Sequence, residues 1–138
     1  AVKLGGNGEV KESGKLWTSR NSPYVATPVY HEGHLYWMDR SGYAVCLNAS
    51  TGREAFRERL KSSSRTPQFY ASPVVVDGKI ISVSRNAGSF VLEAKPKFKQ
   101  LAQNTFASDR SVFNASPAVS NNRLFLRSDT HLYCVTDK

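Results

Sequence analysis

The stretch ASPVVVDGKIISVS, residues 71–84, predicts two short strands joined by a tight turn. The same pattern occurs twice more, as ATPVYHEGHLYWMD at residues 26–39 and as ASPAVSNNRLFLRS at residues 115–128. The proline of the pattern recurs at intervals of 45 and 44 residues, at Pro28, Pro73 and Pro117. The chain therefore contains an internal repeat, and its fold must be one that is built from such units.

Each repeat continues into further predicted strands. In the middle unit we expect four, at residues 70–76, 79–85, 89–94 and 98–106, and in the first unit four, at residues 25–31, 34–39, 43–49 and 53–60. The third unit predicts three, at residues 113–119, 123–127 and 131–136. Residues 15–20 predict one more, an orphan outer strand left over from a preceding unit. A complete unit thus has four antiparallel strands.

Four short strands in a period of roughly 40–50 residues are typical of a β-propeller, whose sheets bury their faces against one another. We predict an all-β fold, a β-propeller segment of three four-stranded antiparallel blades, with residues 1–138 as one domain. The repeat units are expected at about residues 21–60, 61–106 and 107–138. The Ala-Ser/Thr-Pro entry fits an innermost strand, where proline costs no ladder bond at the first position. A β-sandwich with coincidental similarity is the alternative.

The composition is that of a soluble globular domain, 40% hydrophobic and 11% aromatic. No window approaches the roughly 18 apolar residues that a membrane span needs, and the first residues lack the pattern of a signal peptide. The formal charge of +8 favours acidic partners. The basic residues form no RNP motif, zinc-finger spacing or basic helix, which argues against nucleic acid.

Three segments carry a resemblance to a known family: residues 71–94, residues 46–60 (CLNASTGREAFRERL) and the ending ASPAVSNNRLFLRSDTHLYCV. They resemble the PQQ-like β-propeller repeat family, which includes the assembly lipoprotein BamB and the quinoprotein alcohol dehydrogenases. That family introduces its fourth strand with Thr-Gly-Lys-x-x-Trp, and the tryptophan docks between blades. Here the motif reads Thr51 to Phe56, with phenylalanine for tryptophan, and Ser13 to Trp17, one residue shorter. The resemblance implies that Trp17 and Phe56 are blade-docking residues.

The resemblance also sets the expectations for function. It implies a non-catalytic scaffold or binding module at a periplasmic or extracellular location, in a segment like the C-terminal part of longer relatives. The alternative is a fragment of a quinone (PQQ)-dependent dehydrogenase or other propeller enzyme whose active site lies in missing blades. No cofactor is predicted, since PQQ and calcium enter only through the family name, and no adjacent cysteine pair or calcium-binding set is identifiable. We therefore expect no catalytic, cofactor or metal residues.

The remaining reactive side chains have structural interpretations. Cys46 and Cys134 hold equivalent third-strand positions and predict a buried apolar role, although two cysteines leave the redox compartment open. His31, Glu32 and His34 flank a turn, which does not hold a metal as a helical pair does. No carboxylate or nucleophile motif accompanies His131, so a triad is not supported. Asp39 and Asp129 could ligate calcium, but their positions near turns favour a role as solvated turn residues.

An arginine-bearing face is the candidate binding surface. In a propeller the connections between blades and the turns between second and third strands emerge on one side. On the predicted strand map that side, called here the arginine face, carries Arg20, Arg40, Arg65, Arg85, Arg110 and Arg127. Guanidinium groups bind carboxylates and phosphates through forked contacts, so an anionic protein or polysaccharide is the expected partner. A solvated basic rim without a partner is the alternative.

Three blades cannot close a ring, and an open arc exposes an apolar sheet face and a strand edge. We therefore expect a homo-oligomer, with a dimer that closes a six-bladed ring favoured over a nine-bladed trimer. In that dimer residues 15–20 of one chain complete the last blade of the other. Trp17 is then buried at the junction between chains.

Overall fold

The computed structural model describes residues 1–5, 7–63 and 65–136. Within these ranges eleven strands form three antiparallel sheets of four, four and three strands. The first sheet comprises β1 (Val29–His31), β2 (His34–Met38), β3 (Tyr43–Asn48) and β4 (Glu54–Arg59). The second comprises β5 (Val74–Val76), β6 (Lys79–Val83), β7 (Ser89–Glu93) and β8 (Gln100–Asn104). The third comprises β9 (Ala118–Ser120), β10 (Arg123–Arg127) and β11 (Leu132–Val135), and the predicted all-β propeller segment is confirmed.

Tight turns set the register inside each sheet. The first two strands of every unit are joined by a two-residue turn, as in the pairings His31 with His34 and Val76 with Lys79. The turn residues have positive φ in all three units, as in Asp77 at 47° and Gly78 at 66°. A two-residue turn with both φ values positive matches the right-handed twist of the strands that it joins. Turn chemistry therefore fixes the start of each blade locally.

The sheets pack against one another in chain order. We call the face of a sheet that is directed towards the next sheet its forward face, and the opposite one its backward face. The forward face of the first sheet buries Tyr36, Met38 and Cys46 against Phe90 and Leu92 of the second. The other face of the second sheet buries Val83 against residues of the third unit, Phe113 and Leu126. Blade-on-blade burial of this kind holds a propeller together.

The forward face of the third sheet is open to solvent. Leu132 is 70% exposed on it, and Cys134, which pairs across the strands with Phe125, is exposed as well. The prediction that both cysteines are buried is therefore correct for Cys46 and wrong for Cys134. The two positions are equivalent in the repeat, but the second sheet covers Cys46 whereas no described sheet covers Cys134.

The amino-terminal segment differs from its prediction. Residues 15–20 do not form a strand; Lys15 makes an isolated antiparallel bridge with Val2, next to a 3-10 turn at Glu12–Gly14. The backbone N–H of Leu16 donates to the carbonyl of Ala1 at 2.9 Å. Residues 1–3 and 14–17 thus form a short hairpin, called here the N-terminal hairpin. The predicted orphan strand is paired within its own chain because residues 1–3 lie close enough to satisfy its backbone groups.

Candidate anion-binding site

Three of the six predicted arginines line one cavity between the second and third blades. The cavity has a volume of about 690 Å³, and Arg65, Arg85 and Arg110 line it. Arg85 follows β6, whereas Arg65 and Arg110 come from the two connections that lead into β5 and β9. The strand map predicted these three arginines on one face of the propeller, and in the structure they line the same cavity.

Backbone hydrogen bonds attach Arg85 to both neighbouring connections. Its N–H donates to the carbonyl of Gln68 at 2.8 Å, in the connection that carries Arg65. Its carbonyl accepts from the N–H of Phe113 at 3.4 Å, in the connection that carries Arg110. These two bonds hold the backbone of Arg85 between the connections that carry Arg65 and Arg110.

Asn86 strengthens the link to the first of these connections. Its Oδ1 accepts from the N–H of Gln68 at 3.1 Å, and its Nδ2 donates to the carbonyl of Thr66 at 3.3 Å. A side-chain amide can satisfy a backbone donor and a backbone acceptor at once. The turn after β6 and the connection before β5 are therefore held together as one wall.

The side chain of Arg85 is held in place but keeps an unused donor. Its guanidinium carbon lies 4.3 Å from the ring centroid of Tyr70, in cation–π geometry. Its Nε is buried and has no hydrogen-bond partner among the described residues. A buried donor without a partner costs free energy, so this N–H is a local cost to the folded chain.

The carboxylate of Asp109 also lines the cavity, but other groups occupy its oxygens. Its side chain is only 3% exposed and accepts from the N–H of Ser111 at 2.9 Å, the Oγ of Ser111 at 2.6 Å and the hydroxyl of Tyr133 at 2.7 Å. Hydrogen bonds from Ser111, Ser128 and Tyr133 hold the pKa of the Asp109 carboxyl well below its ordinary value. The bond to Asp109 raises the pKa of Tyr133 to about 12.

The three arginines have no carboxylate partner in the part of the chain that the structure describes. Among the residues that the structure describes, no ion pair involves Arg65, Arg85 or Arg110. The cavity therefore carries an excess of positive charge beside a carboxylate that is already fully engaged.

His131 lies beside Asp109, a contact that the sequence did not reveal because 22 residues separate them. The Nδ1 of His131 is 2.8 Å from Oγ1 of Thr130 and 3.5 Å from Oδ2 of Asp109. A catalytic triad uses one ring nitrogen for the carboxylate and the other for the nucleophile. Here both contacts involve Nδ1, so the cluster has no triad geometry.

The other predicted arginines lie outside this cavity. The guanidinium of Arg40 is 5.1 Å from the ring centroid of Tyr24, whose ring is 5.7 Å from that of Tyr70. Arg40, Tyr24, Tyr70 and Arg85 thus form a continuous row across the first two blades, and the sequence had not singled out its tyrosines. Both tyrosines stand three or four residues before the repeated proline, which was the available signal.

The last two arginines are placed separately. Arg20 lines a smaller cavity of about 180 Å³ together with Asp39 and Arg57. Arg127 is exposed at the end of β10. The arginine face is therefore divided into a main cavity, an aromatic row and two outlying side chains.

Trp17 and Phe56 occupy corresponding places against successive blades. Trp17 packs on the backward face of the first sheet with Trp37, Val45 and Leu47, and its Nε1 donates to the carbonyl of Ala49 at 2.9 Å. Phe56 packs on the core between the first and second sheets, 5.6 Å from the ring of Phe98. Within one chain, Trp17 packs against the first sheet, which follows it in sequence, and Phe56 packs on the core that the first sheet shares with the second.

The two histidines and the one aspartate of the first unit lie at its turns. His34 Nδ1 lies 2.9 Å from the carbonyl of Glu32, and His31 lies 3.9 Å from the Glu32 carboxylate. Asp39 accepts from the N–H groups of Ser41 and Tyr43 at 2.8 and 3.0 Å, and its other oxygen pairs with Arg57. These side chains cap local turns.

Among the residues that the structure describes, the cysteines and tryptophans do not come together as a quinone and calcium site would require. Cys46 lies between the first and second sheets, where burial raises its pKa to about 11, whereas Cys134 lies on the third sheet. Trp37 belongs to β2 of the first sheet, and Trp17 packs against it there. Within residues 1–5, 7–63 and 65–136, no three His, Cys, Asp or Glu side chains group as metal ligands.

Comparison with known proteins gives the family. No curated protein matches the chain significantly. In the described part of the chain, no helix is long and apolar enough to cross a membrane. The model of one family, described as outer membrane protein assembly factor BamB, matches residues 9–96, which is more than half of the chain and covers the first sheet and strands β5 to β7 of the second. Together with three antiparallel sheets that pack in chain order, this match shows that the chain belongs to the PQQ-like β-propeller repeat family.

Proposed function

We propose that the protein is a non-catalytic propeller module that binds an anionic partner on its arginine face. The observation that carries this proposal is the convergence of Arg65, Arg85 and Arg110 on one cavity without a carboxylate partner among the described residues. Exposed arginines are common, but arginines from three separate segments that line one concave site are a specific arrangement.

Electrostatics support the same partner class. The net charge of +8 attracts anions at long range, and guanidinium groups then bind carboxylates or phosphates through directed hydrogen bonds. The row of Arg40, Tyr24, Tyr70 and Arg85 extends this surface along the first two blades. An extended anionic partner, an acidic protein segment or a polysaccharide, fits a surface of this length.

The family description supports a protein partner and a location outside the cytoplasm. The matching family is described as an outer membrane protein assembly factor, and we infer a periplasmic or extracellular location for this chain. Arginine and tyrosine are the side chains most often enriched at the centres of protein interfaces. Their combination on this face is what we expect of a protein-binding surface.

Charge reversal tests this proposal directly. Arg40, Arg65 and Arg110 are exposed and are replaced together by glutamate; the matched control replaces Lys79, Lys97 and Arg123, which lie at the opposite end of the blades. We expect the arginine-face variant to elute from a polyanionic resin at much lower salt than the control variant, although both carry the same net charge. Equal losses of retention would show that only total charge matters and would refute the proposal.

We further propose that two chains associate to close a six-bladed ring. The forward face of the third sheet exposes Leu132, and the N-terminal hairpin exposes Val2 and Leu16, which are 46% and 53% exposed. In the closed dimer β11 of one chain takes the place that residues 1–3 hold beside residues 15–17 of the other. A reciprocal exchange of this kind has two-fold symmetry and leaves neither end open.

A further inference from the structure

We infer that the cavity lined by Arg65, Arg85 and Arg110 is a binding site for a phosphate monoester group. This inference rests on the proposed function, because it specifies which anion the arginine face accepts at its most concave point. It goes beyond a general basic surface because it assigns the ligand to one cavity and one charge state.

The donors of the cavity suit an oxyanion with several oxygens. Each guanidinium offers a planar fork of N–H donors that matches two oxygens of a phosphate. Arg65, Arg85 and Arg110 each bring such a fork to the lining of the same cavity.

The charge of the cavity favours a dianion over a monoanion. Three guanidinium groups and the buried Asp109 carboxylate leave an excess of two positive charges. A phosphate monoester carries about −1.5 to −2 charges near neutral pH, whereas a carboxylate carries one. Phosphate therefore neutralises the cavity more completely than a single carboxylate does.

The volume and the apolar wall of the cavity indicate a ligand larger than phosphate itself. The volume of about 690 Å³ exceeds what one phosphate group fills, and Phe106 and Phe113 form part of the wall. Their rings stack at 5.0 Å and make an apolar surface beside the arginines. A phosphorylated molecule with a ring or short apolar portion would use both parts of the site.

The test uses the full chain and inorganic phosphate as the probe. Amide resonances of Asn86, Gly88 and Ser111 are followed by NMR during titration, with chloride added to keep the ionic strength constant. We expect saturable shifts at these amides, and affinity reduced by about tenfold or more in Arg110→Gln and in Arg65→Gln, since charge-assisted bonds are lost. The control Arg123→Gln removes an exposed arginine at the first residue of β10, at the opposite end of the blade from the cavity. This variant should bind phosphate as the parent chain does.

Three results would overturn the inference. Shifts that never saturate would show diffuse screening, equal weakening in Arg123→Gln would show a net-charge effect, and acetate binding as tightly as phosphate would remove the preference for a dianion. Unchanged amide dispersion in each variant establishes that the fold is retained. If the resin experiment succeeds while phosphate fails to saturate, the binding module stands and the phosphate site falls.

A second arm distinguishes the source of the phosphate. Glycerol 3-phosphate presents the group in solution, and vesicles of phosphatidylcholine with or without phosphatidic acid present it at a surface. Competition between glycerol 3-phosphate and inorganic phosphate at the Gly88 amide supports a site for soluble ligands. Arg110-dependent capture on phosphatidic acid vesicles supports a headgroup site, and vesicle capture that Arg110→Gln leaves unchanged counts against the cavity.

Discussion

The backbone N–H of Thr27 donates to Oγ of Ser72 at 2.8 Å, and these residues hold the same place in successive repeats. The N–H of Ser72 in turn donates to Oγ of Ser116, the next equivalent residue, at 2.9 Å. The hydroxyl of the Ala-Ser/Thr-Pro entry therefore links each blade to the one before it. Proline after the hydroxyl residue marks the strand entry, and the hydroxyl itself accepts a hydrogen bond from the preceding blade.

Removal of one hydroxyl from this series should weaken the chain as a whole. In Ser72→Ala the N–H of Thr27 loses its acceptor, and we expect the free energy of unfolding to fall by about 0.5–1.5 kcal/mol. Denaturant unfolding at neutral pH measures the change. Ser120→Ala, at an exposed serine of β9, serves as the control and should have almost no effect. Identical stabilities for the two variants would contradict the role of Ser72 as a link between blades.

Gly52 is predicted to be required for the docking of Trp17. A Cβ atom at Gly52 would lie 2.5 Å from the indole, and its φ is +69°. We expect Gly52→Ala to lose about 1–3 kcal/mol more stability than Gly78→Ala, because overpacking adds to the backbone strain. Gly78 has a φ of +66° but open space around it, so Gly78→Ala measures the backbone strain without any overpacking. A tryptophan fluorescence spectrum unchanged from the parent would argue against displacement of the indole.

The hydrogen-bonded carboxylate of Asp109 should make the free energy of unfolding fall in acid. Its pKa is lowered in the folded protein, so the carboxylate contributes stability above its unfolded pKa of about 3.9, and that contribution is lost as the pH falls below this value. In Asp109→Asn the acid limb of the stability profile should become flatter. Unfolding curves between neutral pH and pH 2 measure this. A variant whose profile runs parallel to that of the parent would exclude Asp109 as the titrating group.

The two cysteines should differ in reactivity. Cys46 is fully buried and its pKa is raised to about 11, whereas Cys134 is exposed. A thiol-reactive disulfide reagent should therefore modify Cys134 in the native protein and reach Cys46 only after unfolding. Mass spectrometry identifies the labelled site, and Cys134→Ser should abolish native labelling. Slow labelling at Cys134 in a concentrated sample would instead indicate that association covers the forward face of the third sheet.

The proposed dimer predicts a defined mass in solution. Sedimentation equilibrium of the intact chain should fit a dimer, and a chain that lacks residues 1–20 should dissociate because the N-terminal hairpin supplies half of the junction. Trp17→Ala provides a milder perturbation of the same contact, with a smaller shift towards monomer. A monomeric intact chain, or a dimer that survives the truncation, would eliminate the exchange of strands.

Much of the fold was predictable because the signals that set it are local. The turn at Asp77-Gly78 and its counterparts need positive φ, and the alternation of the strands assigns each side chain to a face within a few residues. The repeat then required a fold of stacked sheets. The prediction of an orphan strand at residues 15–20 was wrong. The local pattern there is typical of a strand, but the pairing of this segment with residues 1–3 depends on the chain folding back on itself, which a local pattern does not encode.

What the sequence by itself determined is the repeating unit: its strands, its turns and its family. Only the tertiary structure decided that Arg65, Arg85 and Arg110 share one cavity, that Asp109 is engaged by Ser111 and Tyr133, and that Cys46 is buried while the equivalent Cys134 is exposed. The physical reason is the range of the interactions. Hydrogen bonds and dihedral preferences act within a unit, whereas burial and convergence depend on which blade packs against which, across separations of about one repeat or more.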